Sequence, residues 1–278
     1  MNDIYAGWKK EEHAEGWEYR KYFPTFTLAK IFDNFNEIKS LNELKKNRYE
    51  KFSLLDIGCA TGEFYRYFSS KYPNIDYKGC DISPQAIKRA KEKFPNIHFF
   101  VVDENLSSLG SNKVEIIFSR DVIVHHTEPF FFLKRLYDIS SKYIILRLRT
   151  RDVGNSVLDP EVSCQLYNDV WVPFLVLNCD EIISKIRTFT PSPMRMKFVK
   201  EYVVLGGQNY SYVPKELYYK DTKTAVTALL IEKGDGKSEC QIEQCERKNT
   251  HKFFLTGRIL SEFVKFLVRR NYKGPVWW

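Results

Sequence analysis

One stretch constrains this chain more than any other. The apolar run Phe52–Ile57 carries Asp56 near its end, Gly58-Cys59-Ala60-Thr61-Gly62 follows at once, and a helical pattern opens at Glu63. Two glycines four apart let a backbone turn sharply and let a ligand come close. A helix start just beyond presents free N–H groups. A parallel α/β sheet builds nucleotide sites at strand ends of this kind. The dinucleotide fingerprint G-x-G-x-x-G is absent, because Ala60 and Thr61 stand between Gly58 and Gly62. Alone, the stretch also fits an ordinary strand–turn–helix.

The flanking pattern favours the sheet. From Lys51 to Thr150, strand-like and helix-like segments alternate, which argues for parallel strands. Strands are expected at 52–57, 77–80, 98–102, 114–119 and 143–148. Helices are expected at 63–71, from Ser83-Pro84 to about Lys93, and at 129–139, with Ser83 as N-cap and Pro84 at the first helical position. Residues 150–178 interrupt the rhythm with two prolines, one arginine and an apolar run at Trp171–Leu177. Asn178 or Asp180 then caps a helix to Thr188, and 196–205 and 223–233 read as strands. Thr25–Lys45 has the apolar spacing of an amphipathic helix, interrupted near Asn34 or Ser40. The expected division is 1–50 as an N-terminal helical segment or lid, 51–233 as the main domain with 150–178 inserted, and 234–278 as a polar linker and tail.

The tail holds most of the charge. The formal net charge is +8, and residues 246–278 contain eight Lys or Arg against two acids. The basic balance is therefore local and is weak support for nucleic-acid binding. Residues 256–270 place Ile259, Leu260, Phe263, Val264 and Leu267 on one helical face, and the chain ends in Trp277-Trp278. Such a C-terminal amphipathic helix needs a partner: the main domain, a second subunit in a homodimer, or a membrane surface. No run is long enough to span a membrane and the first ten residues lack a signal-peptide core, so a cytoplasmic protein is expected. Six cysteines in 278 residues do not read as a disulfide framework.

Acidic residues close three successive strands: Asp56, Asp81 and Asp103. In a parallel sheet these ends share one edge, beside the glycine loop. A carboxylate after the second strand can accept from both hydroxyls of a ribose. Asp103 can accept from an exocyclic amine, and Asp56 can face a cationic group. Together they suggest an adenosine ligand that carries positive charge.

Here the chain resembles the class I S-adenosylmethionine-dependent methyltransferases, in their small-molecule branch. The matching residues are Leu54–Gly62, Gly79-Cys80-Asp81-Ile82-Ser83, Val102-Asp103-Glu104 and Ile116–Pro129, the last with the turn His125-His126-Thr127-Glu128-Pro129. The resemblance implies a Rossmann-like fold: α/β, doubly wound, a mostly parallel seven-stranded sheet with helices on both faces. It implies S-adenosyl-L-methionine as cofactor, contacted by Asp56, Gly58, Cys59, Ala60, Gly62, Asp81, Ile82, Asp103, Glu104 and Ser119. Three positions depart from the family pattern. Ala60 replaces the usual middle glycine, Glu115 stands where Asp is common, and Ser140-Ser141 replaces a glycine pair. The Trp171–Ile183 region is faintly similar to bacterial methyltransferases of cell-surface sugar pathways.

The implied chemistry is methyl transfer to a small molecule or carbohydrate at a hydroxyl, whose proton a histidine can remove. His126 is the first candidate base and His125 the second; a turn or packing role is the alternative for each. Arg120 and Asp121 either bind substrate or pair with each other. Arg147, Arg149 and Arg151 alternate along the fifth strand and either meet an anionic substrate or form a solvated face. No metal and no nucleic-acid partner are expected. A nicotinamide-dependent oxidoreductase on a related sheet and a catalytically silent scaffold are the competing readings.

Overall fold

The largely apolar run Phe52–Ile57 forms β1, and its side chains sort between two faces. The computed structural model describes residues 5–11, 14, 25–110, 113–167, 170–206, 211–235 and 239–247. Ahead of β1 lie α1 (Thr25–Phe32) and α2 (Asn36–Leu44), parted at 33–35 as the pattern near Asn34 suggested. After β1 come α3 (Glu63–Lys71), β2 (Ile75–Asp81), α4 (Pro84–Lys93), β3 (His98–Val101), β4 (Val114–Arg120), α5 (Pro129–Ile139) and β5 (Ser140–Arg151). The inserted region supplies β6 (Cys164–Tyr167), β7 (Val170–Pro173) and β8 (Leu177–Asn178). The chain continues through α6 (Cys179–Arg187), β9 (Pro193–Tyr202), β10 (Ser211–Tyr212), β11 (Thr224–Lys233) and β12 (Gln241–Glu246).

The main sheet has nine strands in the order β12-β9-β11-β5-β4-β1-β2-β3, with β8 pairing on β5. Neighbours from β3 through β5 run parallel, and β11 is antiparallel to both β5 and β9. The expected number was seven. The two additions are β8, which pairs with Thr150 and Arg151, and β12, which pairs in parallel with β9 beyond the polar stretch at 234–238. Both are short pairings of sequence without a strand's apolar alternation, so the sequence pattern does not announce them. A separate three-stranded sheet, β10-β6-β7, joins the insertion to Ser211–Tyr212.

Each sheet face buries its own core. Leu55, Ile57, Ile117, Ile144 and Leu146 pack with Leu133 and Leu136 of α5 and Ile182 and Ile186 of α6. Leu54, Ile116, Phe118 and Ile145 point the other way, onto Phe32 of α1, Ile38 and Leu41 of α2, Phe64 and Phe68 of α3 and Ile87 of α4. Burial on both faces is what makes the central strands read as nearly continuous apolar runs.

Two departures from the family pattern have local substitutes. Glu115 accepts from Lys45 Nζ at 2.6 Å, and Lys45 also donates to Glu50 at 2.6 Å, which ties the end of α2 to β4. At the Ser140-Ser141 turn, Ser140 Oγ donates to the Tyr143 carbonyl at 3.0 Å. Lys233 Nζ donates to the carbonyls of Tyr137 and Ser140, each at 2.7 Å, and lies 4.4 Å from the centre of the Tyr137 ring. Burial lowers the Lys233 ammonium to about 8. The C-terminal helix expected at 256–270, and with it the tail's partner, lies outside the described residues. Among the described residues no helix is long and apolar enough to cross a membrane.

Candidate active site

The loop after β1 is held by the protein itself. Gly58 N and Cys59 N donate to the Cys80 carbonyl at 2.8 and 3.0 Å, Gly62 N donates to the Cys59 carbonyl at 3.0 Å, and Ala60 N donates to Asp81 Oδ2 at 2.9 Å. Gly58, Ala60 and Gly62 have φ of 78°, 49° and 83°. At Gly58 the need for glycine is double, because a Cβ there would lie 2.2 Å from Val122 Cγ2. Ala60 adopts the left-handed region at the cost that an L side chain carries there. Gly58, Cys59, Ala60 and Gly62 therefore shape the site with amides already engaged. The buried hydroxyl of Thr61 has no hydrogen-bond partner among the described residues.

The three strand-end acids meet different fates. Asp81 ends β2, is buried, and accepts from Ala60 N through one oxygen and from Ser83 N through the other, both at 2.9 Å. Burial raises its carboxyl. Asp56 was expected to face a cation. The Tyr77 hydroxyl donates to its Oδ2 at 2.6 Å, and burial together with the charge of Asp81 pushes Asp56 up to about 7. Among the described residues neither Asp56 nor Asp81 has an ion-pair partner. Asp103 is exposed, and Oδ1 accepts from Ser107 N at 2.8 Å, a bond that lowers its carboxyl and fixes the turn after β3. The neighbouring positions are equally local. Ser119 Oγ donates to the Ile57 carbonyl at 3.0 Å, Ile82 is half-buried against the core, and burial raises the Cys59 thiol.

The turn after β4 separates the two histidines. His126 is buried with both ring nitrogens engaged: Nδ1 accepts from Glu128 N at 3.0 Å, and Nε2 donates to the Glu104 carbonyl at 3.0 Å. That pattern makes His126 a clamp between two loops and leaves it no lone pair with which to take a proton. Glu104 enters the site through this carbonyl. His125 donates Nδ1–H to the Pro173 carbonyl at 2.6 Å, which leaves the Nε2 lone pair available. Burial lowers His125 to about 4. The Trp8 ring packs against His125 at 4.7 Å and against Tyr167 at 5.0 Å, while Tyr5 Oη accepts from Thr127 N at 3.2 Å. Trp8 and Tyr5 were not among the expected site residues; no spacing rule links them to position 125.

The arginines are not solvated, and Arg120 and Asp121 pair with each other as well as with other partners. Arg120 donates to Glu37 of α2 at 2.8 Å and lies 4.3 Å from the centre of the Phe35 ring, with Asp121 farther off at 3.8 Å. Asp121 accepts from Arg147 and, at 2.7 Å, from Arg149. Burial would raise the Asp121 carboxyl, but Arg147, Arg149 and Arg120 hold it well below the ordinary range. Arg151 is buried away from them, donating to the carbonyls of Val153 and Asn155 at 2.5 and 3.1 Å and pairing with Glu216. It braces the insertion and does not join Arg149. Among the described residues no group of three or more His, Cys, Asp or Glu side chains converges as a metal site would need.

A strand–glycine loop–helix with acids at successive strand ends is common to several cofactor-binding folds, and comparison with known proteins separates them. Residues 54–140 match the family model described as a methyltransferase domain. These residues are similar to a methyltransferase domain. The match spans the loop, Asp81, Asp103 and the histidine turn. Malonyl-[acyl-carrier protein] O-methyltransferase 1 of Ilyobacter polytropus is 28% identical over 120 residues, covering 40% of this chain and 44% of that protein. The chain thus spans less than half the length of this curated relative. Among solved structures, a chain of the complex between the Haloferax volcanii Trm112 methyltransferase activator and a candidate methyltransferase superposes with a TM-score of 0.51 at 11% identity, over 85% of this chain and 99% of that one. The plantazolicin methyltransferase BpumL, solved in complex with SAH, gives a TM-score of 0.49 at 16% identity, over 83% of this chain and 94% of that one. At such identity the Haloferax superposition speaks for the fold alone: a Rossmann-like sheet extending on both sides of the methyltransferase domain.

Proposed function

We propose that this chain transfers a methyl group from S-adenosyl-L-methionine to a hydroxyl of a small molecule or carbohydrate. The observation that carries the reading is Asp81, a buried carboxylate at the end of β2 with each oxygen taking one backbone N–H. Each oxygen keeps acceptor capacity, which suits the two hydroxyls of a ribose. The charge balance suits the same ligand, since Asp56 and Asp81 are buried without a cation and S-adenosyl-L-methionine carries net positive charge. Asp103 is exposed at the same edge, where it can accept from an exocyclic amine. When bound, the cofactor supplies an electrophilic sulfonium methyl.

The chain's own work is alignment and proton removal. His125 offers Nε2 as the base for the acceptor hydroxyl, its tautomer fixed by Pro173. His126 holds the turn in which His125 sits. Trp8 packs on the ring, backed by Tyr167, and limits water around it. The test is a screen with methyl-labelled S-adenosyl-L-methionine against sugars, nucleotide-sugars and phenols. The expected result is label in at least one hydroxyl acceptor, lost in His125→Ala. Label transfer at the wild-type rate by His125→Ala would refute its role, and failure of the protein to bind the cofactor would refute the function.

A further inference from the structure

Three guanidiniums meet one carboxylate at the carboxyl ends of β4 and β5. Arg147 and Arg149 both donate through Nη1 to Asp121, and Arg120 reaches it at 3.8 Å while pairing with Glu37. Within this contact group three cations face two carboxylates. Glu201 of β9 acts on Arg147 through space, but Lys39 of α2 faces Glu201 in turn, so the positive excess stands. The group is shielded: the side chains of Arg120, Arg147 and Arg149 are 12%, 13% and 13% exposed. Shielded positive charge is costly unless an anion completes it.

The geometry leaves room for that anion. A guanidinium has five N–H donors, and among the described residues Arg147 and Arg149 each use only Nη1 in a side-chain hydrogen bond. Asp121, which aims both arginines, has φ of 61°, a conformation that a non-glycine residue keeps only where its surroundings enforce it. Arg149 lies 5.7 Å from the centre of the Phe174 ring, next to the Pro173 carbonyl that orients His125, and its charge reaches the His125 ring.

We propose that Arg147 and Arg149 form an oxyanion subsite, and that the methyl acceptor therefore carries a carboxylate or phosphate beside its reacting hydroxyl. The identity of the bound molecule as the acceptor rests on the methyl-transfer reading; the existence of the subsite does not. The paired N–H groups of a guanidinium match either oxyanion, with Asp121 holding the two forks in place.

The test uses the full chain saturated with S-adenosylhomocysteine and titrated with inorganic phosphate or malonate, with sodium chloride at matched ionic strength as reference. Thermal unfolding and calorimetry are the readouts. A saturable stabilisation beyond that of chloride is expected with at least one anion, and which one saturates tells phosphate from carboxylate. Arg149→Gln should weaken it about tenfold or more, because a charge-assisted fork is lost. Arg149→Lys keeps the charge beside Asp121 and removes the fork, so it should lose affinity while remaining folded. No stabilisation beyond chloride in the wild type, or equal affinity in wild type and Arg149→Lys, would overturn the subsite. Binding of S-adenosylhomocysteine is measured separately, so its failure would count against methyl transfer and not against the anion site.

Discussion

At the scale of single residues, burial moves His125 and Asp56 from their usual ranges in opposite directions. His125 is held near 4 by burial, so it is neutral at physiological pH and its lone pair is always ready. If it is the base, turnover should rise with pH through about 4 and stay flat above about 5, with no step near the ordinary histidine value. A pH–rate profile with its rise between 6 and 7 would instead point to another group. His126→Asn should leave a measurable rate but destabilise the turn by about 1–3 kcal/mol, because Glu128 N or the Glu104 carbonyl loses its partner. Asp56 shows the opposite shift, raised to about 7 in the folded chain. Its contribution to stability is complete below the unfolded value near 3.8 and is lost as pH rises through about 7. His125 and His126, both lowered by burial, act with the opposite sign up to and through their unfolded value near 6.5, and Lys233 does so from about 8 upward, so the Asp56 part is read as the difference from Asp56→Asn. Without ligand, the Tm of the wild type relative to that of Asp56→Asn should fall by roughly a few degrees from about pH 5 to about pH 7.

At the scale of elements, the sequence was most legible where one local rule acts alone. β1, α3, α4 and α5 stand where alternation, the Ser83-Pro84 start and the Pro129 start put them. Asn178 does cap α6, accepting from Asp180 N and Glu181 N at 2.8 and 3.0 Å, and Asn178→Ala should cost about 1–2 kcal/mol in thermal unfolding. Partners distant in sequence were not legible. Nothing local says that Tyr77 serves Asp56, that Glu37 serves Arg120, or that the Glu104 carbonyl occupies His126. The glycine loop was legible as a loop, but its reason is tertiary: Gly58 is required by Val122 as well as by its own φ. Gly58→Ala should cost about 2–3 kcal/mol, and part should return in the double variant with Val122→Ala, where the clashing methyl is gone. Additive effects of the two substitutions would mean that the cost is conformational only.

At the scale of the whole molecule, the sheet sets one edge apart for chemistry. β1, β2 and β3 bring Asp56, Asp81 and Asp103 to it; β4 and β5 bring His125, Asp121, Arg147 and Arg149. The inserted β6–β8 region and the Tyr5–Trp8 segment close over the second group, while α2 braces it through Glu37. This division explains why the proposed donor side was readable from strand order and the cover over the second group was not: the acids follow consecutive strands, whereas Tyr5 and Thr127 meet across 122 residues. Everything proposed depends on the donor side. Isothermal titration of S-adenosyl-L-methionine into the wild type and into Asp81→Ala, with folding of both checked by thermal unfolding, tests it most directly. Saturable one-to-one binding by the wild type is expected, weakened about tenfold to a hundredfold in the variant. No binding by the wild type, or the same affinity in both, would contradict the assignment.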